Sequence, residues 1–311
     1  TIVVTRLDHD ANVSPWTRMA EDRGMKVRFV DFDVETGQLD MQDMAAALDA
    51  HPRLLAVGYA SNALGTINPV QQIIEMAHSV GALVYVDAVQ YAPHGPIDVQ
   101  KLGCDFLVCS AYKFFGPHIS ALYGRYDLLE QIRAYRVRPA PAETPGKFET
   151  GTNNFEGIAG LLGALDYLAW IGKTFGNVLA DIYCEEYSGQ QLIYKQAMGA
   201  VRSYEYELSR RFLYVLTGIP GLNIYGPTEA THLDLRVPTF AFTLSGHPSA
   251  EVTVILGQNN IYAWDGNFYA INVTERLSLE HPQKGLVRTG AVHYNTLQEI
   301  DRLGEVLQKI R

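Results

Sequence analysis

Cysteine is scarce in this 311-residue chain: Cys104, Cys109 and Cys184 are the whole set. An odd number without paired Cys-x-x-Cys spacing excludes a disulfide framework and a conventional zinc cluster, and fits reduced thiols of a cytoplasmic protein. Positive charge is in deficit too, with 25 Lys and Arg against 34 Asp and Glu and a net charge of −9. With no basic block, nucleic acid and an anionic membrane surface are poor principal partners. No uninterrupted apolar run approaches a membrane span. There is no Gly-x-Ser-x-Gly elbow for an α/β-hydrolase, no internal repeat and no low-complexity tract. The chain opens inside the apolar run Ile2–Val4 without an initiator Met, so an N-terminal part is expected to be missing.

What is present suits a large enzyme core. Hydrophobic residues make up 47% and charged residues 19%, enough for two domains. Short β-branched runs alternate with helical patterns through the first half. Strands are expected at 2–4, 26–31 and 53–58, and helices at 15–23, 41–50 and 70–79, the first and last stopped by Gly24 and Gly81. Right-handed parallel crossovers follow from that alternation. Further on, the pattern predicts a strand at 121–125, helices at 127–135, 157–170 and 185–216, and an irregular loop at 138–148. Strands at 222–225, 239–245 and 261–264, a helix at 251–257, a loop from Trp264 to Ala270, a strand at 287–295 and a closing helix at 297–310 complete it.

The chemistry concentrates in 82–118, ALVYVDAVQYAPHGPIDVQKLGCDFLVCSAYKFFGPH. Two buried-strand runs, 83–86 and 106–109, end in Asp87 and in Ser110-Ala111-Tyr112-Lys113. Ligands of open α/β sheets sit beyond the carboxyl ends of strands, so Asp87 and Lys113 are expected to share one crevice. That pair suits pyridoxal phosphate, the lysine forming a Schiff base and the carboxylate pairing with the ring nitrogen. Asp8-His9-Asp10 is open to a metal reading, but ligands on one strand alternate and no second cluster lies nearby.

VDAVQ and SAYKFFGPH resemble the Asp-x-x-Gln and Ser-x-(His/Tyr)-Lys signature of class V aminotransferases and cysteine desulfurases. LDHDANVSPW, YASNALGTINP, FETGTNNFEG and VRTGAVHYNT extend the resemblance over the whole chain. The resemblance implies the α/β fold of type I pyridoxal-phosphate transferases: a mainly parallel large-domain sheet with helices on both faces, and a smaller C-terminal α/β domain. Residues 1–175 and 176–311 are the expected division.

It also implies roles. Lys113 is the Schiff-base lysine rather than a surface lysine, and Asp87 the partner of the ring nitrogen. His9 lies over one ring face and Val89 presses on the other. Gln90 and Asn62 bond the ring oxygen, a reading the resemblance favours for Asn62 over a simple turn cap. Ser110 and Tyr112 suit the phosphate. Thr152 reaches the phosphate of a partner subunit in a homodimer with shared sites, or is a plain helix N-cap. Arg288 clamps a substrate carboxylate or merely ends a strand.

One departure stands out: Tyr269 occupies the position of the desulfurases' nucleophilic cysteine, beside the substrate, and Trp264 replaces an arginine found in many of them. The expected enzyme therefore acts at Cα of a small amino-acid substrate without a persulfide. Transamination, epimerisation and β-elimination as a C–S lyase stay open, and a non-catalytic pyridoxal-phosphate-binding protein is the remaining alternative.

Overall fold

The computed structural model describes residues 1–280 and 285–310. Among these residues ten strands form two sheets. The first contains β1 (Ile2–Thr5), β2 (Val27–Val30), β3 (Leu54–Gly58), β4 (Leu83–Asp87), β5 (Phe106–Ser110) and β6 (Ser120–Gly124), in the order β2-β1-β3-β4-β5-β6. All pairs up to β5 are parallel, and β6 returns antiparallel. Alternate residues of a strand face opposite sides of a sheet. Accordingly Val3 packs with Val57, Val84 and Ile73 on one face, while Ile2 and Val4 join Trp16 and Met19 on the other. Helices Met41–Leu48 and Val70–Ser79 cover the first face and helix Ser14–Asp22 the second. The result is the type I transferase arrangement that the β/α alternation and the resemblance led one to expect.

The second sheet joins β7 (Leu222–Tyr225), β8 (Thr239–Leu244), β9 (Trp264–Gly266) and β10 (Leu286–Gly290) in the antiparallel order β7-β8-β10-β9. Its core is Leu208, Phe212, Phe240, Leu256 and Val287, with Phe212 and Phe240 stacked at 4.7 Å. The last helix, Leu297–Leu307, starts with a capping box in which Thr296 and Glu299 satisfy each other's backbone N–H groups.

Several boundaries differ from the expectation, each for a local reason. The edge strand is not 261–264: Ile261 N is tied back to Leu256 O (2.9 Å) by the preceding helix, and pairing of Trp264 with Arg288 begins the strand three residues later. The strand expected over 287–295 stops at Gly290, after which Asn295 Oδ1 accepts from Val292 N (3.0 Å) and closes a turn. The helix expected at 127–135 is only Tyr126–Gln131, because Ile132 is extended. The long helix starts at Gly189, not Glu185, since Tyr183 O accepts from Glu186 N and Tyr187 N and closes a turn first.

Helix Phe155–Phe175 and its 3-10 extension span 25 residues and include an 18-residue window of mean hydropathy 1.2, long and apolar enough by composition to cross a membrane. Asp166 and Lys173 break it in sequence, so no continuous run shows. In the fold it lies along helix Gly189–Thr217, burying Leu168 and Ile171 against Ala197 and Val201, while Ile158 and Leu162 stay exposed.

The two sheets meet at a close joint. Gly65 has φ +78°, and a Cβ there would stand 2.4 Å from Thr239 O. That approach requires glycine on both counts. Arg236, buried, donates to Leu64 O (3.3 Å) and Thr239 O (2.6 Å) and to Pro227 O, lacing three backbone segments with one guanidinium.

Candidate active site

Parallel register sets the site. Gly58 on β3 is level with Asp87 on β4, and Asp87 is level with Val108 on β5. The carboxyl ends of neighbouring strands therefore share one rim, where ligands of such sheets bind. A cavity of about 860 Å³ opens there and is closed from the other side by Trp264–Tyr269 and Arg288 of the second sheet. His9, Asn62, Asp87, Val89, Gln90, Ser110, Tyr112, Lys113, Tyr269 and Arg288 all line it. Thr152 does not. It is exposed and lies outside the cavity of its own chain, and the cap of the next helix is Asn154, whose Oδ1 accepts from Gly157 N (2.9 Å).

The charges in the cavity are unmatched. Asp87 Oδ1 accepts only from Val89 N (2.9 Å), and burial pushes its pKa up, against opposing pulls from that hydrogen bond, His9 and Lys113. Among the described residues no ion pair joins Asp87, Lys113 or Arg288 to an opposite charge within the chain. Burial, helped by the Arg288 charge, pulls the Lys113 amine below the usual lysine range. Arg288 is itself partly desolvated, donates Nη1–H to Asn62 O (2.7 Å) and lies 4.4 Å above the Phe268 ring.

Other side chains have partners that sequence did not announce. His9 Nδ1 accepts from Ala11 N (3.0 Å), which leaves the proton on Nε2, and burial lowers its pKa, so the ring stays neutral. Its face stacks on Tyr269 at 5.7 Å. Gln90 Nε2 donates to Thr239 Oγ1 (3.0 Å), and Asn62 Nδ2 to Phe268 O (2.7 Å), leaving Asn62 Oδ1 buried without a partner. Each amide keeps one further N–H for a ligand oxygen. Ser110 and Ser120 hydroxyls are 3.1 Å apart, and Tyr112 stacks on His118 at 5.1 Å.

The loop opposite the strand ends is held in a costly shape. Phe268 and Tyr269 have φ of +56° and +58°, a left-handed conformation that disfavours side chains by roughly 1–2 kcal/mol each. The hydrogen bonds from Asn62 to Phe268 O and from Asp10 N to Tyr269 O (2.6 Å) keep it there. Tyr269 is 71% and Trp264 65% exposed, both facing the cavity mouth. None of the three cysteines lines it: Cys104 is buried with a thiol pushed up to about 11, Cys109 is partly buried and Cys184 is exposed elsewhere. Asp8, His9 and Asp10 point to separate partners, and among the described residues no three His, Cys, Asp or Glu side chains converge as metal ligands.

Sequence reasoning passed over His118, Phe268 and Asn267, and weighed Asp8 only as part of an Asp8-His9-Asp10 metal triplet. His118 stands in the quoted SAYKFFGPH and was assigned no role. Phe268 and Asn267 sit beside Tyr269, but only the fold shows that they support Arg288 and the loop. Asp8 lies three residues beyond an apolar strand, a weaker signal than the strand-ending position that singled out Asp87.

An anionic, electron-poor pyridine with a phosphate arm meets these residues well. Such a group would give the Asp87 carboxylate a cationic N–H, the Lys113 amine a carbonyl carbon and the hydroxyls of Ser110 and Tyr112 a phosphate to bind.

The Aminotransferase class-V family model matches residues 1–177 and 188–303, and the chain belongs to that family of pyridoxal-phosphate-dependent enzymes. Pyridoxal phosphate is its cofactor. Within the family it is similar to a cysteine desulfurase of Pectobacterium atrosepticum, 34% identical over 99% of this chain and 70% of the relative. A cysteine desulfurase of Yersinia pseudotuberculosis is 33% identical over the full chain and 71% of its own length. The apo structure of the cysteine desulfurase from Thermococcus onnurineus superposes with TM-score 0.84, at 27% identity, over 99% of this chain and 72% of that one. The S-sulfonic acid form of an Escherichia coli cysteine desulfurase gives 0.77 at 26% identity, over 99% and 71%.

Because its neutral amine is favoured, Lys113 should lose its proton at lower pH than the amine of a free lysine peptide added as a standard. Competitive acetylation of the apo protein across pH 6 to 11, read by peptide mass, is expected to show the earlier midpoint at Lys113. Coincident midpoints would contradict the electrostatic reading of the cavity.

Proposed function

We propose that the protein works at Cα of a small amino-acid substrate, on the desulfurase-like scaffold but without a persulfide-forming cysteine. The observation that carries this is the cavity wall. A backbone-anchored tyrosine, Tyr269, stands among Lys113, Asp87 and Arg288, and no thiol lines the space. A persulfide carrier needs a thiolate next to the substrate sulfur. The tie of Tyr269 O to Asp10 N is also unlike a mobile carrier loop.

The bound cofactor supplies an electron-poor ring that delocalises the electron pair left at Cα when a proton departs. This chain's residues do the rest. Lys113 would hold the cofactor, and its amine, inclined to the neutral form, would take the Cα proton. Asp87 holds a proton on the ring nitrogen, while His9 and Val89 cover the two ring faces. Gln90 and Asn62 each direct a remaining amide N–H at the ring oxygen, and Ser110 and Tyr112 hold the phosphate. Arg288 takes the substrate carboxylate, for which its uncompensated charge is prepared. Tyr269 and Trp264 wall the substrate side. Residues 1–175 and 176–311 act as two domains closing on this cavity, and the unpaired thiols agree with a cytoplasmic setting.

The same reading includes a homodimer. Leu122 on β6 and Ile158 and Leu162 on the helix after Thr152 are exposed apolar residues near the edge of the first sheet, and Thr152 is free to reach a second copy's phosphate. Sedimentation of the active protein is expected to give a dimer, and full activity from a monomer at assay concentration would remove the shared-site idea.

The reaction class is tested with L-cysteine. A β-elimination needs no protein nucleophile and yields sulfide and pyruvate, whereas persulfide transfer yields alanine. Pyruvate without any increase in protein mass is the expected result if cysteine reacts. Stoichiometric alanine with a persulfide on Cys104, Cys109 or Cys184 would refute the proposal.

A further inference from the structure

Asp8 is a buried carboxylate to which the reaction outlined above gives no task. It is 2% exposed, three residues beyond the carboxyl end of β1, and no cation pairs with it among the described residues. Three donors hold it instead. Thr5 Oγ1 (2.8 Å) and Gly58 N (2.9 Å) donate to Oδ1, and Asn12 Nδ2 (2.9 Å) donates to Oδ2. The Thr5 hydroxyl accepts from Leu7 N (3.3 Å), which leaves its own proton for Asp8. Such an all-donor set stabilises a carboxylate rather than a neutral acid.

The bond to Gly58 carries the argument toward the cofactor site. Gly58 lines the cavity and is level with Asp87 across the β3–β4 pair, while Asp87 O accepts from Tyr59 N (2.7 Å). Neighbouring strands lie ~4.8 Å apart, so Gly58 is one strand spacing from Asp87, and the Asp8 carboxylate bonded to Gly58 N stands just beyond that strand, behind the carboxylate that faces the ring nitrogen. A Cβ on residue 58 would come within 2.9 Å of Asp8 Oδ1, so the glycine is needed for this approach. On the other side, Asp8 immediately precedes His9. Its bond to Asn12 closes the turn in which Ala11 N is presented to His9 Nδ1.

We propose that Asp8 is a positioning residue of the cofactor site: it fixes the turn that presents His9 and adds a second negative charge behind Asp87. This rests on the cofactor assignments to Lys113 and Asp87. The groups around Asp8 leave that charge unneutralised. Asp87 faces it from β4, Asp10 turns away to Ser14 (Oδ2 accepting at 2.7 Å), and His9 is held neutral by Ala11 N. Burial, with Asp87 adding to it, pushes the Asp8 pKa up to about 7, against the pull of the three donors. Its charge is therefore present above neutrality and fades below it. A negative charge there favours the protonated form of the cofactor–lysine unit.

The test reads the pH at which the visible band of the cofactor-loaded protein changes. Asp8→Asn removes the charge and keeps the size, and should move that midpoint down by about one unit, the scale of one charge acting over this distance in a partly solvated interior. Val4→Ala is the structural control. It makes a cavity in the same strand without touching a charge, so it should lower the melting temperature and leave the midpoint in place. Should Asp8→Asn not fold, Asn12→Ala serves, since losing the Oδ2 donor makes the charged form costlier and moves the midpoint the same way by less. A midpoint unchanged within about 0.2 unit in the folded charge variant, or an equal shift in Val4→Ala, would overturn the inference. A wild-type protein that takes up no cofactor would overturn the Lys113 assignment, and this inference with it.

Discussion

Everything in the site depends on the in-step parallel register of β1, β3, β4 and β5. Because Gly58, Asp87 and Val108 are level, the polar residue that ends each apolar run arrives at a common rim without any long-range design. Parallel strands buried on both faces must be apolar along their length, so their chemistry is confined to the ends. Asp87 and Ser110 are the last residues of β4 and β5, Asp8 follows three residues after the end of β1, and Lys113 lies in the 3-10 turn after β5. A one-residue slip of β4 would turn Asp87 into the core and bring Ala88 to the rim.

The second sheet matters because it completes a charge arrangement the first cannot finish. A lone buried carboxylate and a lysine could pair and neutralise each other. Here burial inclines Lys113 to its neutral form, and Arg288, reaching in from β10 as a second cation, adds to that. Its reach is set by the joint at Gly65, Thr239 and Arg236, where backbones approach too closely for a side chain. The same joint gives Gln90 and Asn62 their partners, Thr239 and Phe268. Closing the cavity and positioning its polar groups are thus one structural event.

Local signals made much of this legible. Apolar runs bounded by glycine gave helix Val70–Ser79 its limits, and a strand followed by Ser-x-Tyr-Lys marked Lys113. Illegible were the contacts that join distant residues: Gln90 to Thr239, Asn62 to Phe268 and Arg288 to Asn62 are 149, 206 and 226 positions apart. Nothing local announces such pairs, because they exist only once the second sheet docks. The edge strand at Trp264 was misplaced for a related reason, since its register is dictated by β10 rather than by its own residues. Asp8 was visible but underused: its neighbours His9 and Asp10 suggested a metal, and only the fold separates the three.

Trapping the cofactor tests the account most directly. The protein is loaded with pyridoxal phosphate, reduced with borohydride, digested and mapped by mass spectrometry. The account predicts loss of the visible band and a single reduced adduct on the peptide carrying Lys113, absent from Lys113→Ala. An adduct confined to another lysine, or a visible band that Lys113→Ala retains, would contradict it.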